Sequence, residues 1–156
     1  SYSADPDRGG GVVLDLIHEI DYLHWLFGPL ECTGSEIKYV DTLDIHSEAI
    51  AEATIRTPNK IGSVHLDYCR RQPQRILEVV CEEGTLIVDI QEQTLTVEYP
   101  STTDTEIFEY DRDRRFQNQL EYFLEHIDAR KECENDLLEG KEVLQLALSI
   151  KREHND

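Results

Sequence analysis

The segment Gly9–Gly28 has the sequence GGGVVLDLIHEIDYLHWLFG, and the fold prediction starts from it. Three consecutive glycines lead directly into apolar residues spaced three and four apart, which is the period of an amphipathic helix. The pattern stops at Gly28-Pro29, because glycine favours the end of a helix and proline cannot continue it. We therefore predict one helix from Val12 to Phe27. Its core stripe consists of Val13, Leu16, Ile17, Ile20, Leu23 and Phe27.

A second face of this predicted helix carries chemically active side chains. Asp15, His18, Tyr22 and Trp25 follow one another at spacings of three, four and three residues, which places them on one side. A carboxylate beside a histidine can orient the imidazole and raise its pKa, as a general acid or base requires. A histidine that only hydrogen-bonds a neighbour would give the same pattern. The preceding glycines would let another backbone or a ligand approach closely.

Two ligand-binding motifs are incomplete in this segment. His18-Glu19 could begin an HExxH zinc motif, but Tyr22 stands where the second histidine would be, and His24 falls toward the core stripe. Gly9–Gly11 lacks the GxGxxG spacing, and no predicted strand precedes it, so it does not match a Rossmann phosphate loop. We predict that this chain binds neither a metal ion nor a dinucleotide.

The four cysteines, Cys32, Cys69, Cys81 and Cys133, form no CxxC pair, which argues against a zinc site or a redox motif. Cys69 and Cys81 lie in strand-like runs and are predicted to be small buried hydrophobic residues. The simplest setting for such cysteines is a reducing, cytoplasmic one.

The composition limits the classes of partner. The 156 residues are enough for one domain with a buried core, and 39% of them are hydrophobic. The formal net charge of −18 argues against nucleic acid or an anionic membrane as a partner. No apolar run approaches the roughly 18 residues of a membrane span, and no signal-peptide pattern is present. Methionine is absent, and Ser1–Pro6 resembles the middle of a longer chain, so we expect a fragment.

Seven β-type runs follow the first helix. Thr57–Lys60 and Glu82–Thr85 have the composition of hairpin turns, with Asn59 and Gly84 suited to positive φ. Short connections imply antiparallel neighbours, so we predict an α+β fold with a single, mostly antiparallel open β-sheet and helices packed on one face. The predicted strands are Cys32 to Val40, Glu48 to Arg56, Lys60 to Cys69, Arg75 to Cys81, Thr85 to Ile90, Thr94 to Tyr99 and Glu106 to Tyr110.

The second of these runs bears on assembly. Ala49, Ala51 and Ala53 are assigned to one side of the strand, and Ile50 and Ile55 to the other. Apolar residues would then lie on an uncovered sheet face. We therefore predict a homo-oligomer formed through the sheet face.

The C-terminal third returns to helical periodicity. One apolar stripe consists of Phe116, Leu120, Phe123, Leu124 and Ile127. A second stripe consists of Val143, Leu144, Leu146, Ala147, Leu148 and Ile150. Asn135 or Asp136 is predicted to cap the last helix.

Several motifs, taken in their order along the chain, resemble the C-terminal domain of the glucose-fructose oxidoreductase / inositol dehydrogenase / MocA-like oxidoreductase family. The segment Gly9–Gly28 carries most of the resemblance, and Ser47-Glu48-Ala49, Gly84-Thr85-Leu86 and the closing stretch 138–147 add to it. The resemblance covers nearly the whole chain. It implies that residues 1–8 end an interdomain loop and that residues 9–156 form a substrate-binding and oligomerisation domain. The family's N-terminal Rossmann domain, with its Glu-Lys-Pro motif, is absent from this sequence.

The resemblance also implies an activity, namely an NAD(P)-dependent dehydrogenase acting on a hydroxyl of a sugar, sugar derivative or cyclitol. The Rossmann domain would bind NAD or NADP, and this fragment alone would bind no cofactor and be inactive. His18 matches the family's general acid/base, and Asp15 best matches the acid that precedes it. In the family, the acid more often precedes the histidine by four residues, whereas Asp15 precedes His18 by three. The role of Asp15 therefore stays open. The alternative is a catalytically silent member that serves as a ligand-binding or sheet-mediated oligomerisation module.

Four further residues are candidate substrate contacts. Tyr22 shares the predicted face of His18, and Tyr68, Arg70 and Arg71 follow a predicted strand. Consecutive arginines in so acidic a chain could hold a carboxylate or phosphate. Surface salt bridges to the abundant acids explain them equally well.

Overall fold

The computed structural model describes residues 5, 8–109, 111–129 and 135–152. Within these described residues, four α-helices, the 3-10 helix at 41–43 and seven strands belong to two compact units, Ser1–Cys69 with Glu134–Asp156, and Arg70–Cys133. The helices are α1 Val12–Asp15, α2 Ile17–Phe27, α3 Arg112–Ala129 and α4 Leu137–Lys151, and the 3-10 helix is Asp41–Leu43. The strands are β1 Glu31–Lys38, β2 Ile50–Thr57, β3 Lys60–Asp67, β4 Ile76–Val80, β5 Thr85–Asp89, β6 Thr94–Glu98 and β7 Thr103–Ile107.

The first unit is a three-stranded antiparallel sheet in the order β1-β2-β3, with helices on one face. Because side chains alternate along a strand, Ala51, Ala53 and Ile55 of β2 all point to the covered face and are buried. Placing Ile55 on the same side as Ile50 was therefore wrong. The small alanines let α1 and α4 approach the sheet closely, and α2 packs against α4. The buried side chains of α4 are Val143, Leu146, Ala147 and Ile150.

The other face of this sheet is polar. His65 of β3 lies between two carboxylates, with Nδ1 against Glu52 Oε1 and Nε2 2.9 Å from Asp67 Oδ2. The hydrogen bond to Glu52, aided by that to Asp67, raises the pKa of His65 above its usual value, although partial burial acts in the opposite direction. Arg56 pairs with Glu31 on the same face, 2.9 Å from nitrogen to oxygen. Charged pairs share this surface with Ile50 and with Ile61, which is 81% exposed.

The second unit contains a four-stranded antiparallel sheet in the order β4-β5-β6-β7, together with α3. The register places six half-buried aliphatic side chains on one face of that sheet. They are Leu77, Val79, Leu86, Val88, Leu95 and Val97. Helix α3 forms where its apolar stripe predicted it, but all five residues of that stripe are more than half exposed.

The prediction of a single sheet was wrong, because β3 and β4 belong to different sheets. The antiparallel arrangement was predicted correctly within each sheet, and so were the two hairpins at 57–60 and 82–85. Eight residues, 68–75, separate β3 from β4, which is longer than a hairpin loop. Pro73 within this stretch has no N–H group with which to continue the β3 ladder.

Two local details differ from the sequence predictions. Positive φ occurs at Gln93 in the β5–β6 turn, and not at Asn59 or Gly84. Cys69 and Cys81 are exposed, so the prediction that they are buried was wrong. Both lie just beyond the end of a strand, where the ladder no longer places alternate side chains against a core. Cys133 lies outside the described residues.

Within the part of the chain that the structure describes, no helix is both long and apolar enough to cross a membrane.

Candidate functional site

The predicted first helix is interrupted. Helix α1 ends at Asp15, Leu16 has φ −101° and ψ 25°, and α2 begins at Ile17. The backbone N–H of Glu19 reaches back to the Leu16 carbonyl at 2.9 Å, which closes a tight first turn of α2. Asp15 and His18 therefore lie on different helices, and their sequence spacing does not set their relative direction.

Asp15 is hydrogen-bonded to Tyr68, which lies 53 residues further along the chain. The Tyr68 hydroxyl donates a hydrogen bond of 2.8 Å to Asp15 Oδ2, at a half-buried position. Tyr68 directly follows β3, and its backbone N–H donates to the Ala49 carbonyl at 3.0 Å. The structure thus brings together two predicted site residues that the sequence did not pair.

His18 is exposed, with 53% of its side-chain surface accessible, near the start of α2. Its Nε2 lies 3.0 Å from Oε1 of the adjacent Glu19, whose own side chain is mostly buried. The carboxylate beside His18 is thus that of Glu19, where the sequence suggested Asp15. An exposed imidazole held by a carboxylate on one nitrogen can present its other nitrogen, Nδ1, to a ligand.

Tyr22 lines a shallow cleft of about 160 Å³ between α2 and the start of α4. Trp25 forms part of its rim and is 75% exposed. His24 is largely buried and lies 3.2 Å from Glu142 Oε2, as its predicted direction toward the core implies. The other lining residues are Asp21, Asn135 and Glu139.

Arg70 and Arg71 are exposed and belong to the second unit, in the stretch before β4. The Arg70 guanidinium donates to the side-chain oxygen of Gln74.

Sequence reasoning missed the buried carboxylate of Glu48, which lies behind α1. Glu48 is 2% exposed, and its Oε1 lies 3.0 Å from Lys151 Nζ at the end of α4. A Cβ placed on Gly11 would lie less than 3.0 Å from three atoms of the Glu48 carboxyl group. The group that approaches Gly11 closely is therefore a side chain of this chain. Ser47-Glu48-Ala49 was visible as a motif, but nothing in the sequence pointed to Lys151.

The position of the Glu48 carboxylate beside Gly11 bears on whether the glycine segment could bind a dinucleotide. The space beside Gly11 is filled by the Glu48 carboxylate, which would repel a pyrophosphate. The residues present do not fit NAD or NADP at this position.

Among residues 5, 8–109, 111–129 and 135–152, no three His, Cys, Asp or Glu side chains lie together as a metal site would require.

A family model described as "Oxidoreductase family, C-terminal alpha/beta domain", of the Gfo/Idh/MocA group, matches residues 2–155. A comparison with curated proteins finds no significant match.

Several solved structures share the fold. UDP-N-acetylglucosamine 3-dehydrogenase GnnA from Acidithiobacillus ferrooxidans superposes with a TM-score of 0.77 at 21% identity, over 90% of this chain and 46% of that one. KijD10, a 3-ketoreductase from Actinomadura kijaniata in complex with NADP, gives a TM-score of 0.76 at 12% identity, over 90% and 47%. Biliverdin reductase from Synechocystis sp. PCC 6803, in complex with biliverdin and NADP+, gives 0.71 at 16% identity, over 97% and 48%. The chain spans about half the length of these structures.

Proposed function

Because the chain belongs to the Gfo/Idh/MocA oxidoreductase family, whose C-terminal domain model matches residues 2–155, we propose that it is the C-terminal half of an NAD(P)-dependent oxidoreductase. The substrate class that we propose is a hydroxyl of a sugar, sugar derivative or cyclitol. Two of the structural neighbours, a dehydrogenase of a sugar nucleotide and a 3-ketoreductase with NADP, support this class. Biliverdin reductase has the same fold, so the fold alone does not select a sugar.

In this proposal the chain contributes proton transfer and substrate orientation. NAD or NADP, bound by a separate Rossmann domain, would exchange the hydride. We assign no hydride step to this chain, because its Gly9–Gly11 segment does not fit the dinucleotide.

The observation that carries the proposal is the exposed His18 with a carboxylate on one side of its ring. As the substrate hydroxyl is oxidised, its proton passes to His18 Nδ1, and Glu19, 3.0 Å from Nε2, stabilises the imidazolium that forms. General base catalysis of this kind contributes about 10²- to 10⁴-fold in rate.

Asp15 and Tyr68 form the second part of the proposed site. Their 2.8 Å hydrogen bond orients the Tyr68 hydroxyl group, and we propose that this pair contacts the substrate hydroxyl. Tyr22, one helical turn beyond His18, and the arginines Arg70 and Arg71 are proposed as further substrate contacts. We also propose a cytoplasmic setting, since Cys32, Cys69 and Cys81 are free thiols.

The test is His18→Ala in the longer chain that carries the cofactor domain. We expect kcat to fall by about 10²- to 10⁴-fold with unchanged thermal stability, because the side chain is exposed. His46→Ala, at another exposed histidine, is the matched control and should keep the activity. Near-normal turnover by His18→Ala would contradict the proposal. NAD(P) binding by the 156-residue chain alone, measured by calorimetry, would contradict the division between the two domains.

A second candidate function is assembly through the four-stranded sheet. Its aliphatic face, described above, is half-buried and could pack against a second copy. Light scattering on wild type and on Val88→Lys, which adds a charge to this face, tests the idea. A strict monomer at high concentration would count against assembly by this route.

A further inference from the structure

The buried segment Ser47-Glu48-Ala49 connects the two halves of the Asp15–Tyr68 pair. All three residues are at most 2% exposed and precede β2. The Glu48 carbonyl accepts the backbone N–H of Val12 at 3.0 Å, where α1 begins. The carbonyl of the next residue, Ala49, accepts the N–H of Tyr68 at 3.0 Å. Neighbouring carbonyls thus hold the backbones that carry Asp15 and Tyr68.

The side chain of Glu48 holds this segment against the glycines. Its carboxylate lies against Gly11 and forms an ion pair with Lys151. Lys151 Nζ also donates to the Gly10 carbonyl at 3.0 Å, so one ammonium group joins Glu48 to the glycine segment. A carboxylate buried to this extent needs such a partner, since removing either group leaves an uncompensated charge.

These contacts connect Glu48, Asp15 and Tyr68 in a closed loop of hydrogen bonds and backbone segments. From Glu48 the path runs through Gly11, whose carbonyl accepts the Asp15 N–H at 3.0 Å, to the Asp15 carboxylate. The 2.8 Å hydrogen bond then leads to Tyr68, whose backbone returns to Ala49. We therefore expect a shift of the Glu48 side chain to change the separation of Asp15 and Tyr68 as well as the stability of the unit.

We propose that Glu48, held by Lys151, is a positioning residue that sets the distance between the Asp15 carboxylate and the Tyr68 hydroxyl. The expected effect on the reaction rate rests on the proposed function. The effect on the distance between Asp15 and Tyr68 is inferred from the contacts alone.

The structural test uses the 156-residue chain labelled with ¹³C-tyrosine. The Tyr68 signal is assigned with Tyr68→Phe, and Asp15→Asn gives the position of this signal when the carboxylate is lost. We expect Glu48→Gln to move the Tyr68 signal toward that position while the other tyrosines keep theirs. Lys151→Met should do the same, and Lys151→Arg, which retains the cation, should restore the wild-type signal.

Lys38→Met is the matched control, because it removes an exposed ion pair to Glu36 on β1. It should leave the Tyr68 signal unchanged. A wild-type Tyr68 signal in folded Glu48→Gln and Lys151→Met overturns the proposal. If both variants lose the folded state entirely, the pair serves stability alone and the positioning role is also rejected.

The catalytic test uses the longer chain. Misplacement of about 1 Å can cost about 10²-fold in rate, so we expect kcat/KM of Glu48→Gln to fall by about that factor. Combining Glu48→Gln with Asp15→Asn should lower kcat/KM no further than Asp15→Asn does, because Glu48 acts through Asp15. Additive losses would overturn the inference. Activity retained by His18→Ala would instead reject the proposed function and leave the tyrosine test intact.

Discussion

Substitution of Gly11 by alanine should be far more destabilising than the same change at Gly28. Both glycines have backbone angles that are accessible almost only to glycine, φ 117° and ψ 154° at Gly11 and φ 80° and ψ −163° at Gly28. Imposing such angles on alanine costs about 1–3 kcal/mol at either position. Nothing lies within 4 Å of a Cβ on Gly28, so the backbone cost is the whole expected effect there.

At Gly11 a second cost is added. The new methyl group would occupy the place of the Glu48 carboxylate, which must move away from Lys151. Breaking a buried ion pair costs about 3–5 kcal/mol, so we expect a total of about 4–8 kcal/mol. This amount is comparable with the whole stability of a typical domain, about 5–15 kcal/mol. The melting temperature should fall by about 6–20 °C more in Gly11→Ala than in Gly28→Ala.

Urea denaturation of the two variants measures the difference in the free energy of unfolding. In a Glu48→Ala background the clash is absent, so Gly11→Ala should cost only the backbone part, about 1–3 kcal/mol. Equal destabilisation at Gly11 and Gly28, or an undiminished cost in the Glu48→Ala background, would refute the reasoning.

Two further predictions concern stability. The pKa of His65 is raised in the folded chain by Glu52 and Asp67, so its protonation stabilises the fold fully below the unfolded value of 6.5, and this contribution is lost as pH rises through the folded value. Because the site is partly exposed, this contribution to the free energy of unfolding is about 0–1 kcal/mol. His65→Gln should abolish that part of the pH dependence of the free energy of unfolding, which denaturation from pH 5 to 9 measures. Asp136 accepts hydrogen bonds from the N–H groups of Leu138 and Glu139, so Asp136→Ala should cost about 1 kcal/mol in thermal unfolding, and Asp136→Asn much less.

The sequence predicted correctly those features that depend on neighbouring residues. The strand period of β2 and the helical period of α4 are local patterns, since burial repeats every second or every three to four residues. Even so, the prediction placed Ile55 on the wrong side of β2 and included the exposed Leu144 and Leu148 in the stripe of α4. The cap of α4 was predicted as Asn135 or Asp136, and Asp136 forms a reciprocal capping box with Glu139. In these cases the information lies within one turn or one hairpin.

Features that depend on distant contacts could not be predicted in the same way. The break at Leu16 leaves no trace in the apolar period, since Leu16 and Ile17 both fit the predicted stripe. The contact between Asp15 and Tyr68 spans 53 residues, and the pair of Glu48 and Lys151 joins the segment before β2 to the end of the last helix. Periodicity contains no information about such partners.

The break at Leu16 bears on the three-residue spacing between Asp15 and His18. On one continuous helix, removing a residue from a four-residue spacing would turn the acid by about 100° relative to the histidine. Here the acid belongs to α1 and the histidine to α2, so the helical register does not fix their relative direction. The direction of Asp15 is set by Tyr68 and by the glycine segment, which Glu48 and Lys151 hold in place. The shorter spacing is therefore compatible with a working acid, provided that the contacts to Tyr68 and Glu48 are intact.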